Sequence, residues 1–226
     1  MSMTFLAAAQ EVARTIGAQN DVEQQAAGKT ALQNAIRKLN TKTNWEFKLT
    51  TLTDINLVIG TSDYVLTGAK RIHSLRLKGN KRTLKLARQR FVDRVVRDQE
   101  TPGIPTHYIP VQTAADVVSA RLVPIPSVTD TMVPRVYVAI TMPTADGDIL
   151  DVPERLLYCL LAVSKYMYLA DRDAESPRTA FWKGESDVEL TAAMGDDNEQ
   201  PDEDFAFLAT DEEGFSYGSE QLDPWS

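Results

Sequence analysis

The stretch DVPERLLYCLLAVSKYMYLADRD, residues 151–173, is the most hydrophobic part of the chain. Its apolar residues recur three and four positions apart, which predicts a helix that buries most of its surface. Asp151 stands where a capping acid is expected and Pro153 where the first turn would lie, so the helix should begin here. The run is interrupted at Ser164 and is too short to span a bilayer. We therefore expect the core helix of a soluble protein.

Further helices are predicted on both sides of this one. A second C-terminal helix should begin after Ser176 and Pro177 and continue to about residue 194. At the N-terminus, apolar residues at helical spacing predict a helix over 3–18, and Asn20 or Asp21 should cap another that reaches Leu39. The first helix is rich in alanine and has few large apolar residues, so it needs neighbouring helices to stabilise it.

From Trp45 the hydrophobic pattern changes to the alternation of β-strands. Glycine and proline interrupt the extended segments, and helical spacing returns only over a short stretch near 88–98. The predicted strands lie at 47–59, 63–66, 72–79, 81–87, 106–112, 118–123 and 133–142.

The predicted fold class is α+β, in which a helical hairpin and long C-terminal helices flank an antiparallel β-sheet domain. We expect an N-terminal hairpin at 1–42, an antiparallel β domain with a short helix near 88–98 at 43–150, and C-terminal helices at 151–195 that pack with the hairpin. An extended acidic arm should follow at 196–226.

The charge is distributed very unevenly. The 226 residues carry a net charge of −8, which alone would argue against nucleic acid or an anionic membrane as a partner. All 24 basic residues, however, lie at or before Lys183, and 14 of the 32 acidic residues follow it. The chain therefore consists of a basic body, net +6 up to Lys183, and an acidic remainder, net −14.

No motif in the sequence indicates an enzyme, a metal site or a cofactor. Glycine-rich phosphate loops, nucleophile elbows and paired histidines on a helix are all missing from the sequence. We expect His73 and His107 to serve contacts of the fold or an exposed face, and Cys159 to be a small buried hydrophobic residue. The N-terminus lacks a basic residue before its short apolar run, so no signal peptide is expected.

Residues 70–97 hold eleven basic residues and a single acid, Asp93. Individual lysines on exposed strands often only prevent aggregation at sheet edges. As a cluster, they are at least as well suited to face phosphate or to dock an acidic protein surface. Single-strand binding is disfavoured, because Phe91 is the only aromatic residue among them. The candidate contact residues are Arg76, Lys78, Lys81, Arg82, Lys85, Arg88, Arg90, Arg94 and Arg97.

The acidic arm is interleaved with large apolar residues, which a purely solubilising tail does not need. Such anchors on a flexible charged segment are typical of a segment that folds on binding, with rings in pockets and carboxylates paired to basic residues. A disordered tail with incidental aromatic residues is the alternative. The candidate anchors are Phe205, Phe207, Phe215, Tyr217, Leu222 and Trp225.

The order of four segments resembles the head-to-tail adaptor (connector, or head-completion) proteins of tailed bacteriophages. The segments are the GTSDYVL turn, the GIPTHYI strand, the strand end ARLVPIPS and the VPERL opening of the long apolar helix. The resemblance covers about residues 43–172 and leaves out 124–150 and the arm. It rests on the order of the segments, since each alone is only a turn, a strand end or a helix start.

The resemblance implies a virion protein without catalytic, metal or cofactor sites, which forms a ring of twelve copies beneath the portal. The ring would join the DNA-filled head to the tail and leave an axial channel. Its implied partners are the portal protein, bound by the arm, neighbouring copies of itself, and a tail or neck protein. The basic residues of 70–97 would contact a neighbouring subunit, a neck protein or the DNA channel. Double-stranded DNA would pass without sequence-specific binding, and no membrane is involved. The implied location is the virion neck, after assembly in the host cytoplasm.

Three alternatives remain open at this point. The ring can be the related tail-tubular or gatekeeper ring of a short-tailed phage. In a different class, the protein can be a sequence-nonspecific DNA-binding module that uses residues 70–97. An enzyme or regulator with an unrecognised site is the third.

Overall fold

The computed structural model describes residues 3–90, 102–114 and 117–197, and over these ranges the fold is mixed α+β, as predicted. The helices are α1 (Phe5–Ala13), α2 (Val22–Lys42), α3 (Glu154–Ala170) and α4 (Pro177–Asp197). The strands are β1 (Leu49–Thr51), β2 (Ile55–Asn56), β3 (Asp63–Thr67), β4 (Arg71–Leu77), β5 (Arg82–Leu86), β6 (His107–Ala114), β7 (Val117–Val123) and β8 (Thr131–Tyr137). The predicted helix near 88–98 lies mostly, and the acidic arm almost entirely, outside the described residues.

The N-terminal hairpin forms with one change at its first helix. The predicted cap at Asp21 is confirmed, because its carboxylate accepts hydrogen bonds from the backbone N–H groups of Glu23 (2.9 Å) and Gln24 (3.4 Å). The helix predicted over 3–18 instead ends at Ala13 and tightens into a 3-10 turn, Arg14–Ile16. Gly17 follows at φ +76°, a left-handed conformation that ends the helix and that glycine adopts most readily.

Helix α1 packs closely against α2 and α3. Its buried residues are Phe5, Val12 and three alanines, so its stripe is narrow and depends on neighbouring helices, as predicted. The closest approach to α2 is at Gly28, where a Cβ would lie 2.8 Å from the carbonyl oxygen of Ala9. The two backbones can meet at this distance because neither position carries a large side chain.

Helix α3 begins where predicted, but Asp151 does not cap it. Pro153 is the N-cap residue, and no side chain hydrogen-bonds to the first turn. Asp151 instead pairs with the ammonium of Lys48, whose side chain is nearly buried, and accepts a hydrogen bond of 2.9 Å from the hydroxyl of Thr141. The acid is used because a nearly buried Lys48 requires a counter-charge. The pair connects the start of the sheet to the start of the helix.

The strands form one curled sheet in the order β1–β8–β4–β5–β6–β7–β3, with β2 also paired to β8. Although β2 and β3 lie at opposite edges, only residues 57–62 separate them. The two edges approach each other, since the hydroxyl of Tyr64 accepts a hydrogen bond of 2.9 Å from the N–H of Val58. One apolar cluster fills the inside of the curl: Leu57, Tyr64, Leu66, Leu75, Leu77, Leu84, Leu122, Met132 and Val136 are among its members.

The prediction of a purely antiparallel sheet was wrong at one pairing. Strands β5 and β6 are parallel, with Lys85 opposite His107 and Leu86 opposite Tyr108. A parallel pair needs a long crossover connection, and residues 87–106 supply one. All the other strand pairs are antiparallel.

The last predicted strand, 133–142, is also shorter than expected. It ends at Tyr137, and Ile140 belongs to the helical core instead of the sheet. The side chain of Asn40 satisfies the backbone of Ile140 from α2, since its Oδ1 accepts from the N–H (2.8 Å) and its Nδ2 donates to the carbonyl (3.2 Å). With both groups satisfied by a side chain, no strand partner is needed there.

The helices have a core of their own, separate from the core of the sheet. Buried side chains of all four helices form one cluster with Trp45, Ile140 and Leu150. The connections to the sheet are local, through the Lys48–Asp151 pair and the hydrogen bond from the N–H of Val138 to the carbonyl of Lys48 (3.1 Å). The predicted arrangement, in which helices flank the sheet, is therefore not confirmed.

Candidate interaction surface

The hairpin of β4 and β5 carries most of the described part of the basic segment. Leu75 and Leu84 lie directly opposite each other and point into the sheet core. The next pair, Arg76 and Thr83, is exposed on the outer face. Successive side chains of a strand point to opposite faces. The hairpin therefore buries its leucines on one face and exposes basic residues on the other.

A single carboxylate anchors the tip of this hairpin. Asp130 accepts hydrogen bonds from the N–H groups of Gly79 (2.7 Å), Asn80 (3.3 Å) and Thr131 (2.6 Å), and from the side-chain amide of Asn80 (2.9 Å). Desolvation alone would raise the pKa of Asp130, but together these hydrogen bonds outweigh it and lower the pKa below its ordinary value. At the tip, Lys81 adopts φ +48°.

The structure brings some of the predicted basic residues together and separates others. Lys78 pairs with Asp54. Arg88 is exposed at the far end of β5, and Arg94 and Arg97 lie outside the described residues. Four further candidates are exposed, and among the described residues no carboxylate pairs with them: Arg76, Lys81, Arg82 and Arg90.

Lys85 completes this group, and its effect is visible at His107. Partial burial, and then the charges of Lys85 and Arg82, lower the pKa of His107. Burial and the two neighbouring cations thus favour the neutral form of the imidazole. At the opposite end of β4, the ammonium of Lys70 donates a hydrogen bond of 2.6 Å to the carbonyl of Thr43, and burial followed by the charge of Arg71 lowers its pKa. The basic segment therefore has two ends with different roles. At the Lys70 end the cation is bonded within the fold, and at the Lys81 end the cations are exposed.

Three loops meet beside the Lys81 end of the hairpin, and sequence reasoning missed the surface that they form. The loops are 57–62, 102–106 and 124–130. Backbone hydrogen bonds join them, from Gly60 to Pro126 (3.0 Å) and from Ser127 to Gly103 (2.9 Å). Asp130 connects them to the hairpin, because its backbone carbonyl accepts from Leu57 (2.8 Å) while its carboxylate holds the tip.

Each of these loops exposes large apolar side chains. The exposed fractions are 58% for Val58, 57% for Ile59, 44% for Ile104 and 43% for Val128. We define these four residues with Lys81, Arg82 and Lys85 as the loop-end surface. The positions are too far apart in sequence for any local pattern to predict their meeting.

Among the residues that the structure describes, the acids near this surface are already engaged. Asp54 pairs with Lys78, Asp63 pairs with Arg121 at 2.9 Å, and Asp130 is saturated by N–H groups. The charges of Lys81, Arg82 and Lys85 are therefore available to an external anion. The loop-end surface is thus both apolar and positively charged.

The other expectations about chemistry concern one residue of the helical core and one of the sheet. Cys159 is fully buried there, as predicted, and burial raises its pKa to about 11. His73 packs edge to face on Tyr137, with ring centroids 5.6 Å apart, which is a contact of the fold. Within residues 3–90, 102–114 and 117–197, no group of His, Cys, Asp or Glu side chains is arranged to hold a metal ion, and no helix is apolar and long enough to cross a membrane.

Comparison with known proteins identifies the family. The profile of the SU10 adaptor protein family matches residues 3–205. The match is wider than the resemblance over 43–172, since it also covers the N-terminal hairpin, residues 124–150 and all of α4. No curated protein matches the chain. The predicted relationship to phage adaptors is confirmed at the level of the family, because a profile spanning most of the chain shows that it belongs to the SU10 adaptor proteins.

Proposed function

We propose that this protein is a structural, non-catalytic component of a tailed-phage virion, a head-to-tail adaptor that forms a ring of twelve copies below the portal. The ring joins the DNA-filled capsid to the tail and leaves an axial channel for the genome. It occupies the neck of the virion after assembly in the host cytoplasm. The observation that carries this proposal is the match to the SU10 adaptor protein family over residues 3–205.

The distribution of charge supports a role in assembly. The loop-end surface carries cations without carboxylate partners among the described residues, and the arm at 196–226 carries eleven acids and no base. In the ring, the basic contacts meet a neighbouring copy or a tail or neck protein, and the arm binds the portal. If the basic residues faced the channel, twelve copies of strong phosphate contacts would hinder passage of the genome. We therefore expect DNA to pass without strong or sequence-specific binding.

Negative-stain imaging of the purified protein, alone and with the portal of the same phage, tests this proposal. We expect rings on the portal with an open centre. Portals that stay bare, although both proteins are folded and this protein is in excess over the portal, would contradict it. In a third sample that contains the tail tube of a short-tailed phage, rings bound to that tube would indicate the gatekeeper variant of the same function.

Nonspecific DNA binding is the second candidate, and it is favoured by the cations of the loop-end surface, which have no carboxylate partner among the described residues. A monomer that binds duplex DNA should lose affinity steeply as salt rises, roughly as the 0.9 power of the salt concentration for each phosphate contact. The adaptor proposal instead expects weak binding by the monomer that does not depend on sequence. Tight duplex binding by a protein that ignores the portal would favour the second candidate.

A further inference from the structure

The loop-end surface has the composition of a docking site. Val58, Ile59, Ile104 and Val128 expose apolar area on three adjacent loops, whereas a soluble protein usually exposes such residues singly. Lys81, Arg82 and Lys85 are exposed beside these loops, since Asp130 ties the hairpin tip to the 124–130 loop and Lys85 pairs with His107 just after the 102–106 loop. An occupant must therefore supply both apolar side chains and carboxylates.

The acidic arm of the same chain has this chemistry. Residues 208–226 contain five acids and no base, together with Phe215, Tyr217 and Trp225. The aromatic rings can cover the apolar loops while the carboxylates pair with the border cations. A duplex would satisfy the cations but leave the apolar loops exposed to water.

The arm is also long enough to reach this surface. Helix α4 returns to the junction of the two cores, where Ala193 lines a cavity with Trp45 and Phe47. Strand β8 runs from the loop end at Thr131 to this junction beyond Tyr137, a distance of about 23 Å for its seven residues. Residues 198–207, fully extended, span roughly 33 Å. From residue 208 onward, the arm can therefore lie on the loop-end surface.

We propose that in the free protein residues 208–226 fold back onto the loop-end surface of their own chain. Tethering gives the arm an effective concentration in the millimolar range, which favours the same chain over another copy in dilute solution. The contact shields the apolar loops and the cations until another partner takes the arm. This inference goes beyond the adaptor function, since it concerns the protein before assembly.

Zero-length cross-linking of the free full-length protein tests the contact. A carbodiimide joins lysine ammonium groups to carboxylates that already touch, and an equal mixture of ¹⁴N and ¹⁵N protein distinguishes one chain from two. We expect links from Lys81 or Lys85 to the acids at 211–223, within chains of one isotope. Links between isotopes would assign the surface to the arm of another copy and overturn the proposal. Links of the arm only to lysines of the helices, or none, would also overturn it.

Limited proteolysis with chymotrypsin gives a second measurement, since the arm contains its cleavage sites Phe215 and Tyr217. We expect the double variant Lys81→Asn, Arg82→Gln to increase the cleavage rate in the arm about fivefold in 0.1 M salt, from two exposed ion pairs. Asparagine suits the left-handed backbone of residue 81. The control, Arg178→Gln, removes an exposed cation at the start of α4.

The apolar half of the contact has its own variant and control. Ile59→Ser should also increase cleavage in the arm, whereas Val188→Ser, on the exposed face of α4, should not. If a loop variant fails to fold, the wild-type protein alone tests the contact through cleavage rates in 0.1 M and 1 M salt. At 1 M salt the screening length is about 3 Å, so the exposed ion pairs weaken and cleavage in the arm should accelerate. Rates that are the same in both salts, and the same in all variants, would refute the contact.

Discussion

Asp130 is the residue that organises the loop-end surface. Its carboxylate holds the turn between β4 and β5, and its backbone carbonyl holds the loop that follows β2. The carboxylate of Asp130 also lies close to Gly79, where a Cβ would be 2.7 Å from its oxygen, so a larger residue does not fit there without a shift. The position of the basic tip relative to the apolar loops thus depends on one side chain.

Asp130→Asn should destabilise the protein by about 1 kcal/mol, because the amide replaces charge-assisted acceptors with a group that partly donates. Folding lowers the pKa of Asp130, so its stabilisation is complete above the ordinary carboxyl pKa and is lost as the pH falls through the lowered value. Urea unfolding of both proteins from pH 7 downward should show the difference shrinking in acid. A difference that grows in acid would contradict the assigned hydrogen bonds.

Charge reversal at the tip tests whether these cations serve assembly. The variant Lys81→Asp, Arg82→Glu, Lys85→Glu should weaken attachment of the ring by at least tenfold, because like charges then face the acidic surface of the neighbouring copy and the ring does not close. The measurement is co-sedimentation with the portal at 0.1 M salt, with Arg178→Glu as the matched control. Unaltered assembly would exclude a docking role for the three residues.

The helix elements were the most predictable part of the fold. Helical spacing and the cap at Asp21 located α2, and the pattern after Pro177 located α4. The sequence failed where a long-range contact overrode a local signal. Asp151 has the local appearance of a cap, yet it neutralises Lys48, and residues 138–142 look like a strand although Asn40 holds Ile140 in the helical core.

Alanine substitutions at two helical glycines should change the stability of the protein in opposite directions. Gly28→Ala should destabilise the protein by about 1–3 kcal/mol, since the new methyl group meets the carbonyl of Ala9 at the crossing of α1 and α2. Gly184→Ala on α4 has open space around it and should stabilise by about 0.5–1 kcal/mol, as alanine is the better helix former. Thermal unfolding shows whether each variant is less or more stable than the wild type. A stabilising Gly28→Ala would show that the helices do not cross so closely.

At the scale of the whole molecule, the charge asymmetry was visible in the sequence but the surface that uses it was not. Composition separates a body at +6 from a remainder at −14. It cannot show that Lys70 lies at the junction of the two cores, or that Val58, Ile104 and Val128 meet beside Lys81. These facts depend on the curl of the sheet and the parallel pairing of β5 with β6.

Deletion of residues 198–226 should leave the body folded, because both apolar cores lie before this segment. It should abolish binding to the portal, since the arm carries the proposed anchors. Circular dichroism checks the fold, and complementation of a phage that lacks the protein measures tail attachment. Tailed, infectious particles from the deletion would refute the role of the arm.

Copies of this chain should assemble on a portal. Mass photometry of the full-length protein mixed with purified portal tests it most directly, because each copy adds 25.1 kDa to the complex. We predict a single complex whose mass exceeds that of the portal by twelve copies. A mixture that shows only the free portal and the free protein, although this protein is in excess over the portal, would contradict this assembly.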